Sequence, residues 1–203
     1  MQVTYTDPPA HSYNHPRSYG RGAIAFHWTV AVLLILVGLL GLLHDSWPKR
    51  SHEFWINIHA LAGLMLWAAV LARFCWRVTH TPPPLPPTIG ALYRRSSRAL
   101  HFTVYALLFV TPIIGIVAFI WHGRAFELGL FQVNFGVASD RSVFESMEDL
   151  HGYLAYALFT LAAVHILAAL WHRFVRRDGV LERMWPWAAA ARSPSVRAAG
   201  KGE

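Results

Sequence analysis

The stretch LHGYLAYALFTLAAVHILAALW, residues 150–171, decides the fold because it is long enough to cross a bilayer and contains two histidines, His151 and His165, 14 residues apart. In an α-helix this spacing turns through about 1400°, roughly 40° short of four full turns, and rises about 21 Å. Both imidazoles would therefore point the same way from near opposite faces of a hydrocarbon layer about 30 Å thick. Imidazole inside a membrane is rare and usually functional. The spacing favours two metal centres stacked across a membrane.

The composition of the whole chain predicts a membrane protein. Its 203 residues are 55% hydrophobic and only 14% charged, and a soluble domain of this length would carry more charge. Three further apolar runs are near the roughly 20 residues that a spanning helix needs. We predict an all-α membrane protein, an up-down-up-down four-helix transmembrane bundle with helices over about 23–43, 54–76, 100–120 and 148–172. Four core helices of a soluble bundle are the alternative, which the uncharged run 24–43 disfavours.

The bundle is predicted to occupy residues 21–187, between two polar ends. Residues 1–20 form a flexible polar segment without a cleavage pattern, so the first helix is expected to stay inserted. Residues 188–203 are expected to be a disordered basic tail. The proline-rich residues 81–87 predict a stiff, extended connector. The connection 121–147 is the longest, and its length suggests a cap over one end of the bundle.

The net charge of +7 is better explained by membrane topology than by nucleic-acid binding. Arginines are concentrated before the first helix, between the second and third, and after the fourth. The other two connections hold 4 basic and 7 acidic residues: Lys49, Arg50, Arg124 and Arg141 against Asp45, Glu53, Glu127, Asp140, Glu145, Glu148 and Asp149. The positive-inside rule then places both termini and the proline-rich loop in the cytoplasm.

Depth in the membrane predicts which histidines can share a metal. His27 lies about 6 Å inside the cytoplasmic face and His165 about 9 Å from the same face. His59 and His151 both lie close to the outer starts of their helices. We therefore expect His27 to pair with His165 at the inner level, and His59 with His151 at the outer level.

The donor set indicates which metal such pairs could hold. Two imidazoles alone make a poor zinc site, but two trans imidazoles suit a six-coordinate iron in a porphyrin. Cys75 is the only cysteine, which excludes a Cys-x-x-Cys-His site for covalent haem attachment. A flat macrocycle also needs space, although close helix packing explains any single small residue equally well. The small residues near the four histidines are Gly38, Gly41, Gly63, Ala155, Ala162, Ala168 and Ala169.

Three further residues lie near the inner membrane edge. Arg73, 14 residues after His59, could pair with a haem propionate or act as a positive-inside anchor. His101 begins the third apolar run and is interpreted as interfacial rather than ligating. His172 follows Trp171 and could hydrogen-bond a quinone carbonyl, with an ordinary surface histidine as the alternative.

Several short motifs resemble the bacterial cytochrome b561 family, also called the prokaryotic diheme cytochromes b. They are IAFHW at 24–28, INIH at 56–59, LHG at 150–152, VHILAALWH at 164–172 and LERMWP at 181–186. The resemblance covers roughly residues 18–187 and implies a multi-pass protein of the bacterial inner membrane, in contact with lipid. It also implies two non-covalent b-type haems with bis-histidine ligation by His27, His59, His151 and His165. The family's quinone-contacting histidine falls on His172.

The predicted function is transmembrane electron transfer through two b haems, with ubiquinone as the inner partner. One branch of the family, known as superoxide oxidase, is similar in size and passes electrons from superoxide to ubiquinone, so a stand-alone superoxide:ubiquinone oxidoreductase is one alternative. The acidic outer connections would repel that anion. Another alternative is a haem-bearing subunit that exchanges electrons with a soluble or membrane redox partner. A haem-free ion or metal transporter with histidine relays is a third, and the scarcity of membrane carboxylates gives it little support.

Overall fold

The computed structural model describes residues 18–83, 90–128 and 131–186. Within these ranges, four helices are long and apolar enough to cross a membrane: α1 (Arg21–Leu42), α2 (His52–Thr79), α3 (Ala91–Trp121) and α4 (Arg141–Trp171). This confirms the predicted all-α four-helix membrane fold. The N-terminal segment up to residue 17, residues 84–89 of the proline-rich connector and the tail 188–203 lie outside the described residues.

The helices are longer than the apolar runs that predicted them. Helix α3 begins at Ala91 rather than near residue 100, and α4 begins at Arg141 rather than near residue 148. The side chain of Asp140 caps α4 by accepting hydrogen bonds from the backbone N–H groups of Ser142 and Val143. Hydrophobicity marks only the part of a helix inside hydrocarbon, so the polar turns beyond it were missed.

The middle of the bundle is an apolar layer to which every helix contributes. Helix α1 packs on α2, α3 packs on α4, and α2 contacts α3. The buried side chains of this layer are Val30, Leu66, Val70, Leu108 and Leu158. On the outward faces large apolar side chains are half-exposed, for example Ile35, Leu36 and Leu39 on α1. Such a surface suits lipid rather than water.

The connection between α3 and α4 folds against the end of the bundle where α2 begins, here called the outer end. Strand β1 (Phe126–Leu128) pairs antiparallel with β2 (Phe131–Val133). The Asn57 side chain donates to the carbonyl of Glu127 (2.9 Å) and accepts from its N–H (3.0 Å). Phe126 is buried and stacks on Phe119, with ring centroids 4.2 Å apart. The hairpin is therefore fixed to α2 and α3.

The opposite end, here called the inner end, is tied together by residues 177–186, here called the inner strap. The buried Arg183 guanidinium donates to the carbonyl of Pro83 (2.9 Å). The backbone N–H of Tyr19 donates to the carbonyl of Arg183 (3.1 Å), and Trp28 Nε1–H donates to the carbonyl of Met184 (2.9 Å). The strap thus links the start of α1 to the segment that follows α2.

Candidate metal centres

Four histidines on three helices meet as two pairs. The rings of His27 (α1) and His165 (α4) have centroids 6.3 Å apart at the inner level. The rings of His59 (α2) and His151 (α4) have centroids 6.0 Å apart at the outer level. These are the two pairs that helix depth predicts, and α4 supplies one ring to each.

The distance between the rings in each pair suits a shared metal. Two imidazoles on opposite sides of an ion, with metal–nitrogen bonds of about 2.0 Å, have ring centres roughly 6 Å apart. Both separations lie close to this value. In the described part of the chain, helix α4 packs closely on α3. It approaches α1 and α2 much less closely. The histidine pairs therefore lie across the wider gaps of the bundle, where a flat group has space.

The outer rings are oriented by backbone carbonyls. His59 Nδ1 is 3.1 Å from the carbonyl oxygen of Val37, and His151 Nδ1 is 2.9 Å from that of Thr111. A carbonyl can only accept, so Nδ1 of each ring carries the proton and donates it. The lone pair of Nε2 is then available for a metal, which is the usual arrangement of ligating histidines.

Glycines lie directly behind both outer rings. A Cβ at Gly41 would be 3.1 Å from Cε1 of His59, and one at Gly115 would be 2.8 Å from Cε1 of His151. A Cβ at Gly63 would meet no atom within 4 Å, so this position beside His59 leaves open space. Gly38 offers no such space, because a Cβ there would collide with the Phe159 ring.

The inner level contains a third histidine that sequence reasoning assigned to the interface. The His101 ring lies 5.2 Å from that of His165, and its Nδ1 is 2.6 Å from the carbonyl oxygen of Ser97. Because α3 begins at Ala91, His101 lies in its third turn and not at its start. The first turns of α3 are polar, so hydrophobicity did not show that the helix begins ten residues before His101.

The inner pair also has an unsatisfied polar atom, since His27 Nδ1 is buried without a hydrogen-bond partner in the described part of the chain. Buried polar atoms are nearly always satisfied, so such an atom indicates that a group belongs beside it. Arg73 is half-buried, with its guanidinium carbon 5.6 Å from the centre of the Tyr105 ring. Tyr105 lies four residues after His101 on α3, which places Arg73 at the inner level.

His172 forms a separate cluster just beyond α4. Its Nδ1–H donates to Oδ2 of Asp178 at 2.6 Å, and Arg176 Nε–H donates to the same oxygen at 3.2 Å. The Tyr93 ring packs edge-on against His172 with centroids 6.3 Å apart. Sequence reasoning found His172 but not Asp178, because that contact depends on the chain reversal after α4.

The donor set excludes a typical zinc site among the described residues, where no group of three or more His, Cys, Asp or Glu side chains could hold a metal ion. The sole cysteine, Cys75, is exposed. Two facing imidazoles, a free Nε2 on each outer ring and open space beside His59 instead fit iron whose other four ligands come from a macrocycle.

Comparisons with known proteins agree with this chemistry. The family model described as prokaryotic cytochrome b561 matches residues 18–187. "Cytochrome b561 homolog 2" of Escherichia coli (strain K12) is 30% identical over 178 residues, covering 84% of this chain and 93% of that protein. "Probable superoxide oxidase CybB" of Yersinia pestis is 27% identical over 177 residues, covering 84% and 97%. "Cytochrome b562" of Cereibacter sphaeroides is 25% identical over 173 residues, covering 82% and 94%.

The family match spans all four helices and both histidine pairs. The chain therefore belongs to the prokaryotic cytochrome b561 family, multi-pass proteins of the bacterial inner membrane that bind b-type haem and carry electrons.

Proposed function

We propose that residues 21–187 carry electrons across the inner membrane through two b haems, one held by His27 and His165 and the other by His59 and His151. The observation that carries this proposal is the spacing of the two ring pairs, 6.3 Å and 6.0 Å, on the shared helix α4. Bound haem would supply one-electron chemistry at each level.

The chain's own residues orient the histidine rings and insulate the path between the two levels. The carbonyls of Val37 and Thr111 hold the outer rings through Nδ1–H, which directs Nε2 to the metal. The apolar layer between the two levels, with Val70 fully buried, keeps water and ions out of the path between them. Arg73 would pair with a propionate at the inner level, where a buried negative charge needs a cation.

Ubiquinone is the proposed partner at the inner end, with His172 as the residue that contacts its carbonyl. The ring of His172 is largely buried, its Nδ1 is engaged by Asp178, and Nε2 has no hydrogen-bond partner among the described residues. A ring held in this way leaves Nε2 for a substrate, and Nε2 donates to a carbonyl oxygen when it carries a proton.

Two measurements test the proposal. A pyridine haemochrome assay on protein from haem-replete cells should give two haems b per chain, and a folded but colourless preparation would instead favour a transporter. Chemically reduced protein should be reoxidised by a short-chain ubiquinone analogue. His172→Ala should slow that reoxidation without changing the haem content. An unchanged rate would mean that His172 is an ordinary surface histidine.

A second candidate is a superoxide:ubiquinone oxidoreductase, which the name of the Yersinia pestis relative favours. The outer charges argue against attraction of an anion. Arg124 pairs with Glu53 and Arg141 with Glu145, so two of the four outer cations each lie beside a carboxylate. Burial and the Arg124 cation lower the pKa of His122, which disfavours a positive charge on this ring.

Stopped-flow mixing separates the two candidates. A donor protein acting at the outer end should reduce the haems faster than superoxide does, because the paired outer cations attract superoxide poorly. Faster reduction of the haems by superoxide would support the superoxide:ubiquinone oxidoreductase. Co-purification of a dehydrogenase subunit would support the role as a subunit of a larger complex.

A further inference from the structure

The segment after α4 contains a compact cluster of charged side chains that the haem sites do not use. Asp178 is almost buried, with 11% of its side chain exposed, and His172 is 15% exposed. Both carboxylate oxygens of Asp178 are engaged. Oδ2 accepts from His172 and Arg176, and Oδ1 accepts from the backbone N–H of Val180 (3.3 Å). The carboxylate is therefore fixed relative to the imidazole.

The backbone that brings Asp178 onto His172 is irregular. Residues His172–Arg176 form a π-helical turn, and Arg177 follows with φ 51, in the left-handed region that non-glycine residues rarely adopt. Short π-helical turns and left-handed non-glycine residues occur frequently at functional sites. Here they reverse the chain within six residues, so that the Asp178 carboxylate meets the ring of His172.

The hydrogen bond decides which nitrogen of His172 can act on a substrate. Because the carboxylate accepts the Nδ1 proton, Nδ1 cannot contact a ligand and Nε2 is the remaining nitrogen. The carboxylate also provides a counter-charge whenever the ring carries two protons, as it does for imidazolium in catalytic His–Asp pairs. Arg176 donates to the same oxygen at 3.2 Å, so a second side chain holds the carboxylate in place.

We propose that Asp178 is the positioning residue of the quinone site: it holds His172 so that Nε2–H delivers a proton to the quinone oxygen during reduction. This inference rests on the proposed quinone function.

Reduction of ubiquinone to ubiquinol consumes two electrons, which arrive through the haems, and two protons. In the step proposed here the Nε2–H bond breaks and an O–H bond forms on the quinone. The ring becomes neutral but keeps its Nδ1–H···Asp178 bond. Water at the membrane edge returns the proton to Nε2 and supplies the second one.

The test compares single variants of the purified, haem-loaded protein. Electrons come from a chemical reductant, a short-chain ubiquinone analogue is the acceptor, and kcat and KM are measured for its reduction. Asp178→Asn keeps the shape but removes the negative charge, and Asp178→Glu restores it. The matched control is Glu182→Gln, which removes another carboxylate of the inner strap, one paired with Arg173. Haem content and absorption spectrum report whether each variant is folded.

We expect Asp178→Asn to lower kcat about 10- to 100-fold with little change in KM, because general acid catalysis contributes at least that much. Asp178→Glu should recover a substantial part of the rate, and Glu182→Gln should behave as wild type. A purely structural role would lower haem content or affect both carboxylates alike, and would overturn the inference. A slow His172→Ala combined with an unimpaired Asp178→Asn would overturn the inference but leave the quinone function standing. Failure of the wild-type protein to reduce the quinone would overturn both.

Discussion

The two outer histidines each have one ring nitrogen committed to a backbone carbonyl, and this determines what the other nitrogen can do. Val37 and Thr111 accept the Nδ1 protons of His59 and His151, so only Nε2 remains for a metal. At the inner level, Nδ1 of His27 is buried and unsatisfied in the described residues. The outer rings are thus held by hydrogen bonds, whereas the inner pair depends more on the metal for its order.

The pairing of the four rings leads to a prediction for single substitutions. If each pair holds one haem as proposed, His59→Ala or His151→Ala should remove mainly the outer haem, and His27→Ala or His165→Ala mainly the inner one. The measurement is the haem content per chain together with the low-temperature α-band, which should lose one component in each case. Loss of the same component from His27→Ala and His151→Ala would contradict the pairing.

The glycines behind the outer rings give a second prediction at the residue scale. In Gly115→Ala the new Cβ would be 2.8 Å from Cε1 of His151, so the ring must shift. Alanine stabilises a helix by about 0.5–1 kcal/mol relative to glycine, so any loss arises from the collision. We expect a changed electron paramagnetic resonance signal from the outer iron and weaker haem retention.

Gly152→Ala is the matched control for that substitution. Gly152 lies on α4, one residue after His151, and a Cβ there would meet no atom within 4 Å. It should leave the outer iron unchanged. If the signals of both variants match that of wild type, the His151 ring has room to move and Gly115 has no role at the site.

At the scale of elements, the hairpin of β1 and β2 depends on one side chain of α2. Asn57 satisfies both backbone groups of Glu127, and it is two residues from His59. Asn57→Ala should leave that N–H and carbonyl unpaired and weaken the attachment of the hairpin by about 1–3 kcal/mol. Hydrogen exchange of residues 126–128 and 131–133 should accelerate while exchange in the core of α3 stays slow.

The control for the hairpin is Gln132→Ala, which removes an exposed side chain that contacts the Glu127 carboxylate at 3.5 Å. Exchange in this variant should match that of wild type. Equal exchange rates in Asn57→Ala and wild type would mean that the stacking of Phe126 on Phe119 alone holds the hairpin.

The elements also show what the sequence can and cannot predict. The histidine pairs could be predicted because a helix advances a fixed 1.5 Å per residue, so depth follows from position alone. The position of His101 could not, because the polar first turns of α3 carry no hydrophobic signal. The Asn57–Glu127 and His172–Asp178 contacts could not either, since the first joins residues 70 apart and the second depends on a left-handed Arg177.

For the whole molecule, the function depends on which end of the bundle faces the cytoplasm. At the end with His59 and His151, the connections together with the polar beginnings of α2 and α4 carry 4 basic and 7 acidic residues, whereas arginines concentrate at the opposite end. The positive-inside rule therefore places His172 and the proposed quinone site at the cytoplasmic face. Electrons that enter at the outer end would then cross both haem levels before they reach the quinone.

Cysteine labelling in whole cells tests this orientation. In a Cys75→Ser background, Ser139→Cys on the outer connection should react with a membrane-impermeant maleimide in intact cells. Ser96→Cys, near the inner end of α3 and also exposed, should react only after the membrane is permeabilised. The reverse pattern would place His172 at the outer face, and any net electron transfer to quinone would then run toward the periplasm. Because the haem pairing rests on depth differences alone, it would be unaffected by that reversal, so the labelling tests the direction of transfer independently of the ligands.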